Sequence, residues 1–161
     1  MACFPSPLLG SRARLEHVWH ARGSAAHAAR SILRDDPSPY DPTPFFFSSE
    51  EVDATATWPF NWVMHGSPAG EAVVVGADEP VAACFWCASA ASSDAGGEGG
   101  APLRVVAVLL ESGDEAQNSV LRTIARNKPV VDAAALRACG SAGEALRLVA
   151  AAAGAAPPHG Q

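Results

Sequence analysis

The sequence predicts an α+β domain: an antiparallel sheet of about four to five strands with helices packed on one face, preceded by one separate helix. Three observations point there. Short apolar runs of strand-like length follow one another through the middle of the chain, divided by Gly, Pro and Asp turns. Two Ser-x-x-Glu helix starts, Ser112–Glu115 and Ser141–Glu144, come after those runs. An alanine-rich stretch lies ahead of them, cut off by a proline-rich linker.

Taken in order, residues 1–14 contain two prolines and a glycine and are expected to be unstructured. Ala21–Leu33 is expected to be helical, because alanine has the highest helix propensity. Asp35, Asp36, Pro37, Pro39 and Pro42 end that helix and form a linker. Phe45–Phe47 is short, aromatic and extended, and alternation along it turns one ring away from its neighbours. The strands follow: Trp58–Met64, Glu71–Val75 after the turn Gly66–Gly70, Pro80–Cys87, and Leu103–Leu110. Ala88–Ala101, rich in Ser, Ala and Gly, is expected to be a flexible exposed hairpin connection. The Ser112 helix should run to about Asn127, with Val120, Leu121, Ile124 and Ala125 on its apolar face and Lys128-Pro129 ending it. A short turn around Ala133–Ala138 bridges to the final helix, which carries Leu146, Leu148 and Val149. The domain reading is therefore 1–14 unstructured, 15–43 a helix plus linker, 44–154 the α+β domain, and 155–161 a disordered tail.

Composition narrows the function classes. The 161 residues are 48% hydrophobic and 17% charged, which suits a packed core. A net charge of −6 and scattered basic residues argue against a nucleic-acid surface. No apolar stretch approaches the ~20 residues of a membrane span. The four cysteines are too few and too irregular for a disulfide scaffold, so a reduced cytoplasmic protein is expected. Arg12 and Arg14, with no acid beside them, leave a plastid or mitochondrial address open.

Direct signals of chemistry are few. No Gly-x-Gly-x-x-Gly lies between a strand and a helix, and the pairs Gly96-Gly97 and Gly99-Gly100 have no helix after them. Cys84-Phe-Trp-Cys87 has redox-pair spacing but falls in a strand, where that spacing sends the thiols to opposite faces. Two packed thiols are expected, with no metal site and no catalytic triad. His17, His20 and Arg22 suit either an anion or cofactor edge or a solvated helix start.

Five stretches, in order, carry a likeness. Arg14-Leu-Glu-His-Val-Trp-His-Ala-Arg22-Gly-Ser24-Ala25 resembles the approach to the last FAD-domain helix of monodehydroascorbate reductases. Pro44-Phe-Phe-Phe-Ser48 is similar to that family's proline–aromatic–aromatic–aromatic–serine motif, and Gly66-Ser-Pro-Ala-Gly70-Glu71 to its turn before a valine-rich strand. Val108-Leu-Leu-Glu111-Ser112-Gly113 and Ala125-Arg126-Asn-Lys-Pro129-Val-Val-Asp132 resemble its strand-end and helix-end motifs. The likeness covers roughly residues 14–154. Ferredoxin and putidaredoxin reductases share the layout, and a relative of that type is the alternative within the same chemistry.

The resemblance implies a C-terminal portion of an NAD(P)H- and FAD-dependent oxidoreductase that reduces the monodehydroascorbate radical to ascorbate. It implies that Arg22 and Phe47 meet the substrate, and that His20, Ala21 and Phe47 border the cofactor. Phe47 stands where the family has a tyrosine, so the ring is kept and the hydroxyl lost. Ser49 replaces an arginine and Trp19 an acidic residue. The family's nucleotide-binding domains have no counterpart in these residues, so the chain alone is expected to be inactive, with neither FAD nor NAD(P)H bound. The helix over Ala21–Leu33 would then be left over from an FAD domain, its apolar face free for self-association. A different class of function, a stand-alone interaction or dimerisation module, is the other alternative.

Overall fold

The structure, a computed structural model, describes residues 3–34, 38–50, 60–90 and 102–155. The chain divides into two compact units, Met1–Phe45 and Phe46–Gln161.

The first unit opens with β1 (Phe4–Ser6) and β2 (Ser11–Ala13), paired antiparallel with Phe4 opposite Ala13. This corrects the expectation that residues 1–14 lack structure. Gly10, at φ +64°, closes the turn and donates to the Ser6 carbonyl at 2.9 Å. The Arg12 guanidinium donates to the Cys3 carbonyl at 2.7 Å. Proline is tolerated where a strand's missing N–H would face solvent, so Pro5 does not prevent pairing. α1 (Val18–Arg34) begins earlier than expected. The His17 ring accepts from the Trp19 amide at 3.3 Å and occupies a donor that a helix start leaves free. No residue of α1 is buried, and Ile32 and Leu33 are more than four-fifths exposed.

The second unit is built on a sheet. Its strands are β3 (Phe45–Glu50), β4 (Phe60–Gly66), β5 (Glu71–Val75), β6 (Ala82–Ser89) and β7 (Pro102–Glu111). They lie in the order β3-β4-β7-β6-β5. β4, β5, β6 and β7 pair antiparallel. α2 (Glu115–Asn127) follows, then β8 (Val130–Asp132), α3 (Ala133–Ala138) and α4 (Ala142–Ala152). β8 pairs antiparallel with the Pro102–Arg104 end of β7 and makes a sixth strand that the sequence does not announce. Three residues are too few to show a period of two.

Register makes the core. Val63, Leu110, Ala83 and Val75 stand in one row across β4, β7, β6 and β5, and all four are buried. Phe85, Val108 and Val73 stand in another and are buried as well. α2 packs on β7 and β4, α3 on β5 and β8, and α4 on β6, β8 and α2. They contribute Val120, Leu121, Ile124, Leu136, Leu146 and Val149 to the interior. Full burial of one such side chain is worth about 1.5–3 kcal/mol. The opposite row, Met64, Leu109, Cys84 and Val74, is apolar too, which is why the strands read as continuous apolar runs.

Two glycines shape the turn between β4 and β5. A Cβ on Gly66 (φ +100°) would lie 2.4 Å from the Val106 carbonyl oxygen, and one on Gly70 (φ +87°) 2.2 Å from that of Cys87. Both conformations are open to glycine at no steric cost.

The start of α2 is a second correction. The cap is Asp114, not Ser112: its carboxylate accepts from the Gln117 amide at 2.7 Å, and the Gln117 side chain accepts from the Asp114 amide at 3.0 Å. Ser112 instead takes φ +56° and ends β7, its amide donating to the Asn61 carbonyl at 2.8 Å. Ser141 does cap α4, accepting from the Glu144 amide at 3.3 Å. The Glu144 carboxylate, however, reaches the Gly140 amide at 2.9 Å and not that of Ser141. The expected loop over Ala88–Ala101 lies mostly, and the tail from 156 onward wholly, outside the described residues.

Candidate functional site

Three of the four residues singled out by the sequence lie on α1 in the first unit. Arg22 is exposed, with its guanidinium carbon 5.7 Å from the ring centroid of Trp19, one turn earlier. It forms no ion pair among the described residues. Ala21 is exposed, and its amide donates to the His17 carbonyl at 3.2 Å.

His20 is held on two sides. Its Nδ1 lies 3.0 Å from the Tyr40 hydroxyl, and its ring stacks on Phe4 at 5.2 Å. Desolvation lowers the His20 pKa and raises that of Tyr40, so both favour the neutral form. Tyr40 also packs against His27 at 5.2 Å, and its hydroxyl approaches Gly23 closely enough that a Cβ there would sit 3.3 Å away. Sequence reasoning assigned Tyr40 to a linker and Phe4 to an unstructured end. Nothing local ties either to His20; only the folded chain does. The Trp19–Arg22 contact was not anticipated either, because the expected helix began at Ala21 and left Trp19 outside it, whereas α1 begins at Val18 and puts the two residues on one face.

Phe47 lies on β3 in the second unit, 41% exposed, beside Phe46 at 42%. Both rings are therefore open, where alternation leads one to expect a single outward ring. Elsewhere in this unit, the Trp62 indole donates to Glu111 at 2.8 Å across the β4–β7 pair. The carboxamide oxygens of Asn61 and Asn118 and the Ser112 hydroxyl are buried without a hydrogen bond among the described residues.

Cys84 is half-buried and Cys87 buried, on opposite faces of β6, and both are free thiols. Burial, then the Glu71 carboxylate, push the Cys87 thiol up to about 11, against a lowering by Arg137. A thiol so raised is a poor nucleophile. Among the described residues, no group of three or more His, Cys, Asp or Glu side chains could hold a metal ion, and no helix is long and apolar enough to cross a membrane.

The described residues do not fit a dinucleotide. α1 is approached from β2 through Arg14–His17, with no glycine to let a pyrophosphate near its first turn. The first unit offers the exposed Arg22 guanidinium and the His20 imidazole held by Tyr40 and Phe4, and the second unit, by itself, the exposed rings of Phe46 and Phe47.

No protein-family profile matches the chain. Curated proteins do. The chain is 35% identical over 151 residues to monodehydroascorbate reductase 5, chloroplastic, of Oryza sativa subsp. japonica, over 92% of this chain and 28% of that protein. Over that span the chain is similar to the monodehydroascorbate reductases. The chloroplastic/mitochondrial monodehydroascorbate reductase of Arabidopsis thaliana is 35% identical over 155 residues, and that of Pisum sativum 30% over 141. The chain spans 28% of the length of each of these three monodehydroascorbate reductases.

Proposed function

We propose that this chain is the C-terminal portion of an NAD(P)H- and FAD-dependent oxidoreductase that reduces the monodehydroascorbate radical to ascorbate. The observation that carries this reading is 35% identity to a monodehydroascorbate reductase over 92% of the chain. In it, Arg22 attracts and orients the anionic radical, because a guanidinium stays charged at every physiological pH. Phe47 supplies an apolar ring beside substrate and flavin, and His20 and Ala21 border the cofactor. These 161 residues carry no glycine fingerprint, so by themselves they hold neither FAD nor NAD(P)H and are inactive. No redox step is therefore assigned to them. The names of the relatives favour a plastid or mitochondrion as the compartment.

The test is a chimera. This chain replaces the matching span of the rice protein, and NADH-dependent reduction of the radical is assayed. Activity is expected, with Arg22→Ala lowering kcat/KM by at least about tenfold, the loss of one charged contact. A folded, flavin-loaded chimera with no activity would overturn the reading. The isolated chain should purify without flavin absorbance.

A second reading, a non-catalytic docking module, draws on the exposed Ile32 and Leu33 of α1. Sedimentation of the isolated chain separates the two. A monomer that ignores the full-length reductase counts against the module.

A further inference from the structure

Two side chains at the start of α1 are claimed by neither core nor ion pair. Trp19 is 54% exposed, an unusual position for the largest apolar side chain. Arg22 is exposed and without an ion pair among the described residues, and the first turn of α1 holds no acid. The two meet across one helical turn, with the guanidinium carbon 5.7 Å from the ring centroid.

We propose that Trp19 is a positioning residue: its indole face holds the Arg22 guanidinium in place while leaving its charge and its N–H donors free for a small organic anion. This deepens the reading of Arg22 as the substrate contact and rests on it. The physical case has three parts. A cation–π contact uses the flat face of the guanidinium, whereas the N–H donors lie in its plane and point outward. A carboxylate at the same spacing would take those donors and cancel the charge. An arginine already stacked has given up part of its rotamer freedom before the anion arrives, so less is lost on binding. An exposed contact of this kind is worth about a two- to fivefold difference in dissociation constant.

The experiment uses the full chain, labelled with ¹⁵N and titrated anaerobically with sodium ascorbate while the Arg22 Nε–Hε signal is followed. Arg22→Lys identifies that signal by its loss. In the wild-type chain the signal should carry an upfield ring-current shift and should move on titration. Trp19→Leu should lose the ring-current shift and weaken ascorbate about two- to fivefold. Trp19→Phe should restore part of both, and Trp19→Glu should bind more weakly than Trp19→Leu. Trp19 is exposed, so these variants are expected to fold, which far-ultraviolet circular dichroism checks.

An Arg22 signal and an ascorbate affinity that Trp19→Leu leaves unchanged would overturn the proposal alone. A shifted Arg22 signal that does not respond to ascorbate in the wild-type chain would overturn the substrate role of Arg22, and the proposal with it.

Discussion

His65 stands on β4 where two effects disfavour its charged form. Burial comes first and the Arg122 guanidinium second, and together they push its pKa down from 6.5 to about 4. A histidine held neutral in the fold but free to protonate when unfolded stabilises the native state fully above pH 6.5. That contribution is lost as pH falls from 6.5 through about 4. At about 1.4 kcal/mol per pKa unit, the whole loss is at most about 3.5 kcal/mol, reduced by whatever solvent reaches the ring. Urea unfolding should therefore show a lower midpoint at pH 4.5 than at pH 7, and His65→Gln should flatten the difference. An undiminished pH dependence in that variant would place the effect on another group.

Among the elements, α2 shows how neighbouring signals compete. Ser112–Glu115 and Asp114–Gln117 both match a capping box, and local chemistry does not choose between them. The strand chooses. β7 is paired through Glu111, and the Ser112 amide still bonds to Asn61 on β4, so the chain leaves the sheet too late for Ser112 to cap. Gly113 then packs on Leu110, where a Cβ would lie 2.0 Å from Cδ2. Asp114→Ala should cost about 1 kcal/mol of stability, read as a lower urea midpoint at unchanged slope. An undisturbed midpoint would mean that Asp114 is not the cap. The far end of α2 is secured twice. Lys128 takes the left-handed conformation, and the Asn127 side chain donates to the Ala153 carbonyl at 2.7 Å, beside the end of α4.

On the scale of the molecule, the second unit is one sheet with three helices filling its inner face. Leu146 on α4 is fully buried in that layer, and Leu146→Ala should cost about 2–5 kcal/mol through lost transfer energy and a residual cavity. Thermal unfolding followed by circular dichroism checks this, and a loss well under 1 kcal/mol would mean the layer can collapse around the gap. The same comparison shows why some features were legible and others not. β5, β6, β7, α2 and α4 were readable because each carries several apolar residues at the spacing of its own element. β8 has three residues and exists through its pairing with β7. β1 carries a proline and β2 an arginine between two small residues, and the two strands pair because Gly10 in the turn between them returns the chain on itself.

The candidate site divides along the same line. Arg22 and Phe47 were picked out beforehand by the motifs that resemble the family, whereas the pairing of Trp19 with Arg22 appears only because α1 begins at Val18 and not at Ala21. The Tyr40 and Phe4 contacts to His20 join residues about twenty positions apart or on different elements, and no local period encodes them. The fold class, the order of the main elements and the absence of a glycine fingerprint can all be read from the amino-acid order, because each is a matter of residue type and short-range spacing. Where α2 begins, that a sixth strand forms, that His65 is pushed toward its neutral form and that Tyr40 packs on His20 follow from the folded arrangement alone. Those outcomes depend on which distant backbone and side-chain groups are brought within hydrogen-bonding and van der Waals range.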